Sequence, residues 1–465
     1  MKVLLTHGYF LEEDDKEKTI MKPYPPLGLL YISVYLDEQG IENEIFDTTF
    51  SSKNELTKKI MLTKPLYLAI YVNLMTKINV LWIINFVRAN EELSNCKIIL
   101  GGPEVRHNTK NFLNAGADYV VIGEGEETIT ELLNTLGKRN STELIDIQGI
   151  GFINDASEIV VTEDRALIKS IDELPIPNRK KIDINQYQKV WKDHHGSDAV
   201  SISTMRGCPY TCKWCSRATY GLTYRRRSPE LVVDEIELIM KEYHPDTLWF
   251  VDDVFTISHI WLEKFCNELI RREVHIKYEC ITRSDRMNEN VISMLKESGC
   301  YRVWIGAESG SQKVIDFMDR RVNVNQVREM IHLSKKYGIE TGTFIMLGYP
   351  GETEKDIEET IDHLKKSNPD YFTITLAYPI KGTDFYQEIE TDLINSFNWN
   401  LNTDRERVFK RTYSRKYYGF AIRRVVNEVN FHKTISNGRQ LTFKNINYKA
   451  RSFAAKTGML LLRKL

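Results

Sequence analysis

The chain of 465 residues lacks any apolar run that approaches the roughly 20 residues of a membrane-spanning helix, which excludes an integral membrane protein. Its seven cysteines are too few and too scattered for a disulfide framework. It has no internal repeat, low-complexity tract or RNA-binding module. The first residues, Met1–Thr6, predict a strand and not a signal peptide. We therefore expect a cytoplasmic protein that has no nucleic-acid partner.

The chain also has almost no net charge, but its charge is unevenly distributed. An apolar fraction of 42% and a charged fraction of 27% are typical of a soluble globular protein. Residues 401–465 hold sixteen Lys/Arg against three Asp/Glu, about +13, whereas the first 400 residues carry about −14. Two interpretations stay open: a basic helical face that balances the acidic part of the chain, or a surface for membrane phosphates or an anionic, lipid-like substrate.

Strand and helix patterns alternate over the first part of the chain. Apolar, β-rich runs predict strands at Lys2–Thr6, Asn43–Phe46, Leu66–Val72, Lys97–Leu100 and Asp118–Ile122. The segments between them have helical spacing, as at Leu27–Gln39, Thr76–Leu93 and Glu126–Leu136. The alternation predicts an α/β fold, a doubly wound parallel sheet that binds ligands at the carboxyl ends of its strands.

A second alternating series begins near residue 196, after a linker that includes a small hairpin at Gly149–Val161. It predicts six strands, at Ala199–Thr204, Thr247–Val251, Lys277–Ile281, Tyr301–Ile305, Glu340–Met346 and Tyr371–Leu376. These strands fit an open six-stranded β/α barrel with its chemistry at the carboxyl-end rim. The predicted domains are residues 1–145, a linker at 146–195, the partial barrel at 196–390 and a basic helical region at 391–465.

Three cysteines follow the first strand of this series in a C-x3-C-x2-C array, Cys208, Cys212 and Cys215. Three thiolates leave one iron of a cubane cluster open, whereas electron-transfer clusters and structural zinc usually have four protein ligands. The array therefore predicts a [4Fe–4S] cluster whose shell a substrate or cofactor completes. A zinc site with a distant fourth ligand is the alternative. The remaining cysteines, Cys96, Cys266, Cys280 and Cys300, stand singly and are expected to be buried apolar residues.

The segment Arg206–Cys215 resembles the cluster loop of the radical S-adenosylmethionine (SAM) enzymes, including an aromatic residue, Trp214, before the last cysteine. The resemblance implies that SAM chelates the open iron. It also implies that reduction of the cluster cleaves SAM to methionine and a 5′-deoxyadenosyl radical, with electrons from a donor such as flavodoxin or ferredoxin.

Polar groups follow the next predicted strands at the same rim. By the resemblance, Asp252 or Asp253 lies near the SAM amino group, Glu308 near its ribose and Arg283 near its carboxylate. The alternative for each is an ordinary salt bridge at the rim. The turn Gly348–Thr353 after the fifth strand is expected to serve backbone shape first and an adenine contact second.

The first domain resembles the cobalamin-binding domain that is fused to many radical SAM enzymes. The resemblance rests on Tyr24–Leu30, Gly101-Gly102-Pro103 and Gly123-Glu124-Gly125-Glu126, together with Leu174–Pro177 in the linker. It implies that Gly28, Gly101, Gly102, Gly123 and Gly125 approach the cofactor. One departure matters: His7-Gly8-Tyr9 does not supply the Asp-x-His-x-x-Gly loop that ligates cobalt, so cobalamin is expected without a histidine ligand. A domain that has lost the cofactor and only supports the barrel is the alternative.

Together these features predict a cobalamin-binding radical SAM enzyme that methylates an unactivated carbon of a small or lipid-like molecule. Radical cyclisation or rearrangement without methyl transfer is the first alternative. A non-catalytic iron–sulfur or zinc-binding protein is the second. The basic region at 391–465 is expected to make any peripheral membrane contact.

Overall fold

The computed structural model describes residues 3–137, 141–394, 397–436 and 443–463. It divides into two compact units. The first comprises Met1–Pro209, Ser216–Leu248 and Ser396–Glu406, and the second comprises Tyr210–Cys215, Trp249–Asn395 and Arg407–Leu465. The described part contains no helix with both the length and the apolar character needed to span a membrane.

The first unit contains a seven-stranded sheet. Its strands are β1 (Val3–His7), β2 (Asn43–Phe46), β3 (Tyr67–Tyr71), β4 (Lys97–Gly101), β5 (Tyr119–Val121), β6 (Ile150–Ile153) and β7 (Ile159–Val161). Their order is β2-β1-β3-β4-β5-β6-β7, and the first five are parallel. This confirms the predicted parallel sheet. Lys2, the first residue of the predicted strand, lies outside the described residues.

The predicted hairpin forms and joins this sheet. Strand β6 pairs with β5 and β7 with β6, both antiparallel, so the hairpin extends one edge of the parallel sheet. The helices of this unit are α1 (Asp15–Ile20), α2 (Leu27–Glu38), α3 (Lys53–Thr63), α4 (Lys77–Arg88), α5 (Thr109–Asn114), α6 (Glu126–Gly137), α7 (Ile184–His195) and α8 (Pro229–Tyr243).

Apolar residues on both faces of the strands explain why helices cover the sheet on both sides. In β4, Ile98 and Leu100 belong to one buried cluster, while Ile99 between them belongs to another. Successive side chains of a strand point to opposite faces, so a continuous apolar run places a core on each side.

The second sheet has six strands: β8 (Ala199–Ile202), β11 (Thr247–Phe250), β12 (Tyr278–Thr282), β13 (Cys300–Glu308), β14 (Glu340–Leu347) and β15 (Tyr371–Leu376). Its order is β15-β14-β13-β12-β11-β8, so the two end strands do not pair and the sheet is open, as predicted. The pairs from β12 to β15 are parallel. Two short strands, β9 (Met205–Arg206) and β10 (Arg225–Arg226), form a separate antiparallel pair.

Helices connect these strands and close the chain. They are α9 (His259–Arg271), α10 (Glu289–Glu297), α11 (Gln312–Phe317), α12 (Val324–Lys336), α13 (Glu354–Ser367), α14 (Asp384–Ile389), α15 (Arg415–Ser436) and α16 (Phe443–Leu462). The helical C-terminal part confirms the predicted fold class. Helix α15 buries Tyr417, Ala421, Val425 and Val429, which recur every four residues on one face.

Several cations of the basic region pair with carboxylates. Arg424 lies 2.5 Å from Glu358, and Arg463 lies 3.5 Å from Glu354. These pairs agree with the interpretation of a basic face that balances an acidic part of the chain. Residues 395, 396, 437–442, 464 and 465 of this region lie outside the described residues.

A buried carboxylate of α8 provides a test of the first unit. Glu235 is 0% exposed, and it pairs with Arg227 and with Arg179, whose Nη2 lies 2.6 Å from Oε1. We expect Glu235→Ala to lower the free energy of unfolding by about 3–5 kcal/mol, because it removes the buried carboxylate that two buried guanidinium groups share. Denaturant unfolding measures the change. Glu237→Ala, an exposed position of the same helix, is the control, and equal effects of both substitutions would contradict the analysis.

Candidate functional site

The cysteine loop begins in the first unit, directly after β9. Arg206 of β9 pairs with Arg225 of β10, which fixes the backbone before the first cysteine. Gly207 has a φ of +84°, and a Cβ there would lie 2.6 Å from the carbonyl oxygen of Thr223. A side chain at this position would clash with the backbone, so only glycine fits. The next residue, Cys208, is half-buried.

Arg206 is anchored by two carboxylates of the turn after β5. Its Nη1 lies 2.7 Å from Oε1 of Glu124, and its Nη2 donates to Glu126. All three residues are at least nine-tenths buried. Burial lowers the pKa of Arg206, but the charges of Glu126 and Tyr220 and the hydrogen bonds to the glutamates outweigh it and raise the pKa. The turn that carries Gly123 and Gly125 therefore holds the residue two positions before Cys208.

The rest of the loop, Tyr210–Cys215, belongs to the second unit. The backbone N–H of Lys213 donates to Met318 O at 3.1 Å, and the hydroxyl of Thr211 donates to Asp319 at 2.6 Å. Trp214 packs against a buried apolar cluster that includes Met346, Tyr349, Phe385 and Phe409. The loop after α11 and this apolar cluster therefore position the second and third cysteines.

Two arginines donate to the buried thiol group of Cys212. Nη1 of Arg283 lies 3.6 Å from its Sγ, and Nη1 of Arg320 lies 3.7 Å from it. Arg283 is 1% exposed and Arg320 is 8% exposed. Cys215, three residues further on, is exposed. The environment of Cys212 is therefore positively charged and largely closed to water.

Arg283 follows β12, as predicted, and most of its donors are engaged within the protein. Nε lies 2.8 Å from Oδ1 of Asp285, Nη2 donates to Arg320 O at 2.7 Å, and the guanidinium carbon lies 3.8 Å from the ring centre of Tyr210. The structure thus places Arg283 against a cluster cysteine. A contact with the SAM carboxylate stays a prediction.

Glu308 is the last residue of β13, three residues beyond the predicted end at Ile305, because Gly306–Glu308 continue the strand with a register shift against β14. Its φ is +64°, a left-handed conformation that is uncommon for a residue with a side chain. Oε1 lies 3.8 Å from Nη2 of Arg320. Burial raises the pKa of Glu308, and the charges of Arg320 and Arg283 only partly offset this.

The two aspartates after β11 differ in exposure. Asp252 is 2% exposed, whereas the side chain of Asp253 is open to solvent. Desolvation by the surrounding protein and the charge of Asp252 raise the pKa of Asp253. The carboxyl ends of β11, β12 and β13 thus carry the four predicted SAM residues at one edge of the sheet. Their contacts with SAM stay predictions.

The turn after β14 has a structural reason for its glycines. Gly348 and Gly351 have φ values of +79° and +78°. Glu352 is fully buried, and one carboxyl oxygen accepts a 2.6 Å hydrogen bond from the Gly348 N–H. Burial raises the pKa of Glu352 to about 8. These contacts agree with a role in backbone shape, and the adenine contact stays a prediction.

Three of the predicted cobalamin glycines lie around one tyrosine at the carboxyl end of the first sheet. Positions for a Cβ at Gly28 and Gly102 lie 3.8 Å and 2.9 Å from the ring of Tyr71, the last residue of β3, and Gly101 ends the neighbouring strand. Gly102 has a φ of +109° and is closely packed. The backbone conformation and the neighbouring protein atoms therefore explain the glycine at this position without a cofactor. Gly123 has a φ of +89°, and Gly125 packs against Ile32.

His7 at the end of β1 is fully engaged by neighbouring side chains and backbone. Nε2 lies 2.9 Å from Asp47, while Nδ1 accepts from the Tyr9 N–H at 3.1 Å. Hydrogen bonds from His7 and Tyr187 lower the pKa of Asp47 although burial opposes them. Neither ring nitrogen is left for a metal. A cavity of about 240 Å³ lies beside Asp47, and the predicted glycines do not line it.

Sequence patterns missed several of these residues. Arg206, Arg320 and Tyr71 act through partners that are distant in the chain, and no spacing rule identifies such partners. The sequence gives one local signal for Arg206, its position directly before Gly207-Cys208. The structure buries this charged residue together with the start of the loop.

The fold and the cysteine loop together are typical of a class of iron–sulfur enzymes. Its features are an open parallel sheet, three cysteines after the first strand of that sheet, and a doubly wound sheet earlier in the chain. Residues 202–364 match the family model of the radical SAM superfamily, and residues 18–133 match that of the B12 binding domain. The chain therefore belongs to the radical SAM enzymes that carry a B12-binding domain. The cofactors of these domains are a [4Fe–4S] cluster, SAM and cobalamin.

Curated relatives cover most of the chain. An uncharacterized methyltransferase of Pyrococcus horikoshii is 29% identical over 395 residues, 83% of each chain. The anaerobic magnesium-protoporphyrin IX monomethyl ester cyclase of Rubrivivax gelatinosus is 26% identical over 378 residues, 79% of this chain and 66% of the cyclase. Among solved structures, the radical SAM methyltransferase TsrM of Kitasatospora setae, with cobalamin and a [4Fe–4S] cluster bound, has a TM-score of 0.75 at 16% identity over 99% of both chains. That likeness shows the shared fold.

The cysteine loop fits a cluster by the chemistry of its donors. The described residues include no group of three or more His, Cys, Asp or Glu side chains that could hold a single metal ion. A cubane cluster does not need one, because each cysteine binds a different iron. The two guanidinium donors to Cys212 also fit a negatively charged cluster.

The first unit fits cobalamin without a histidine ligand. Gly28 is exposed and Gly101 is half-buried, and a Cβ at either would make only ordinary van der Waals contacts, so close packing does not fill their surroundings. Tyr71, whose pKa burial raises to about 12, is an apolar neighbour of Gly28.

Arg320 provides a test of the charge around the cluster. We expect Arg320→Met to lower the midpoint potential of the cluster, because hydrogen bonds to a cluster sulfur and a nearby positive charge stabilise the more negative, reduced state. A redox titration followed by electron paramagnetic resonance measures the potential. Arg321→Met, at the adjacent exposed guanidinium, is the control. An unchanged potential in Arg320→Met with full iron content would contradict the assigned contact.

Proposed function

We propose that the enzyme methylates an unactivated carbon of a small-molecule substrate. The observation that carries the proposal is the presence in one chain of a three-cysteine loop and a B12-binding domain whose histidine at β1 is engaged by protein groups. When bound, the cluster and SAM supply a hydrogen-abstracting radical, and cobalamin carries a methyl group.

In this proposal the chain's own residues hold and orient the reactants. Residues 1–145 hold cobalamin, with loosely packed backbone at Gly28 and Gly101. Residues 196–390 hold the cluster on Cys208, Cys212 and Cys215, and residues 391–465 face the substrate or a membrane surface. An external protein donor supplies the electrons.

The predicted SAM residues have distinct tasks. Asp252 or Asp253 accepts hydrogen bonds from the amino group, and Glu308 accepts them from the ribose hydroxyls. Glu308, whose pKa burial raises, gains from a cationic or donor partner, because that partner offsets the cost of burying its charge. SAM, which carries a sulfonium and an ammonium group, provides such partners.

The likeness to a methyltransferase of Pyrococcus horikoshii supports methyl transfer. The likeness to the cyclase of Rubrivivax gelatinosus favours a second candidate, radical ring formation without methyl transfer. Both candidates need the cluster and SAM. They differ in whether the methyl group of SAM enters the product.

The cofactor assignments are tested by replacing the three cysteines together. We expect the variant with Cys208, Cys212 and Cys215 changed to Ala to lose nearly all iron and all 5′-deoxyadenosine formation but to keep its corrinoid, since the cobalamin site is in a different domain. Metal analysis, the corrinoid absorption spectrum and product chromatography measure the three quantities in anaerobic protein given SAM and a strong reductant.

Cys96→Ala is the control for this experiment, because Cys96 is buried in the core of the first sheet and has no cluster role. Iron retained by the triple variant, or stoichiometric zinc in the wild-type protein, would contradict the cluster assignment. Wild-type protein that forms 5′-deoxyadenosine but takes up no corrinoid would favour the second candidate.

A further inference from the structure

Arg411 is a half-buried arginine whose charge has no acidic partner. Its Nη2 donates to Ala377 O at 2.7 Å, and its guanidinium carbon lies 3.9 Å from the ring centre of Phe409. Its Nε is buried and has no hydrogen-bond partner. Within the described part of the chain, no carboxylate oxygen lies within 4.0 Å of its nitrogens.

The other buried arginines of this protein have acidic partners. Arg179 and Arg227 share Glu235, Arg206 pairs with Glu124, and Arg283 pairs with Asp285. These pairs follow the general rule that a buried charge is paired, because an unpaired one loses its hydration without compensation. Arg411 departs from this rule, because the described residues offer it a carbonyl oxygen and an aromatic ring but no carboxylate.

The surroundings of Arg411 keep it charged and free of competition. Burial lowers its pKa to about 10, assisted by the neighbouring charge of Arg415, so the guanidinium is still protonated at neutral pH. Among the described residues, no carboxylate competes for this charge at ion-pair distance. The site therefore presents a net positive charge.

Arg411 lies at the edge of the sheet where the chemistry is expected. Ala377 directly follows β15, and a Cβ at Gly348, directly after β14, would lie 3.5 Å from Nε of Arg411. Phe409 belongs to the apolar cluster against which Trp214 of the cysteine loop packs. The arginine thus lies beside the carboxyl ends of two strands. The group of apolar residues that includes its neighbour Phe409 also packs against the cysteine loop.

We propose that Arg411 binds an oxyanion of the substrate, a carboxylate or a phosphate group, at the carboxyl ends of β14 and β15. The proposal names the substrate class and rests on the proposed function. A guanidinium fork matches the geometry of these groups, and charge-assisted hydrogen bonds of this kind are among the strongest in proteins. The carboxylate of SAM has the same chemistry, so the test separates the two sources.

Inorganic phosphate is the probe. Calorimetric titration of phosphate into the anaerobic wild-type protein, at constant ionic strength set with chloride, is expected to detect one binding site. In Arg411→Gln we expect phosphate affinity to fall roughly tenfold or more, and in Arg411→Lys to fall less, because lysine keeps the charge and loses the fork. Lys416→Gln, at an exposed cation five residues away, is the control and is expected to bind as the wild-type protein does.

Equilibrium dialysis of labelled SAM with the same variants identifies the source of the anion. Unchanged SAM affinity in Arg411→Gln supports a substrate site, whereas a matching loss of SAM affinity overturns the assignment to the substrate. Equal phosphate binding by wild-type protein and Arg411→Gln, or none by the wild-type protein, overturns the site itself. Neither titration requires turnover, so failure here is distinguishable from failure of the proposed methylation, which product analysis measures.

Discussion

Buried arginine–acceptor contacts hold the three-cysteine loop, and the rest of the site depends on them. In the first unit, Arg206 is fixed by Glu124 and Glu126 just before Cys208. In the second unit, Arg283 and Arg320 converge on Cys212. A guanidinium group stays charged when it is buried and offers five N–H donors in a rigid fork, so each contact restricts the loop strongly. Breaking one leaves a charge without compensation, which favours a single arrangement of the cysteines.

The same physical constraint explains why the chemistry lies at strand ends. Parallel strands that are covered on both faces leave only their edges for polar groups. Asp252, Arg283 and Glu308 end or follow three adjacent strands. Little water reaches Asp252, Arg283 and Glu352, which are at most 2% exposed. Such surroundings strengthen every contact with a bound cation or anion, Arg411 included.

Local patterns were sufficient for the architecture and for the cysteine ligands. Strand periodicity and the C-x3-C-x2-C spacing depend on neighbouring residues, so the order of strands and helices was predictable. The extension of β13 to Glu308 was not, because a register shift and a left-handed residue interrupt the pattern. The partners of Arg206, Arg283 and Arg411 were also not predictable, since long-range packing chooses them. The glycines show both outcomes: Gly28 is exposed and only loosely packed against Tyr71, whereas Gly102 serves a tight backbone contact.

The central claim is that cluster chemistry and cobalamin act together in methyl transfer. The most direct test is the ratio of S-adenosylhomocysteine to 5′-deoxyadenosine formed by the anaerobic enzyme, with reductant, SAM and a small-molecule extract of the source cells as substrate pool. Methylation uses one SAM as methyl donor and another as radical source, so the two products are expected in equal amounts, with a deuterated methyl group of SAM recovered in a new product. Substrate-dependent 5′-deoxyadenosine without S-adenosylhomocysteine would contradict the claim and favour cyclisation.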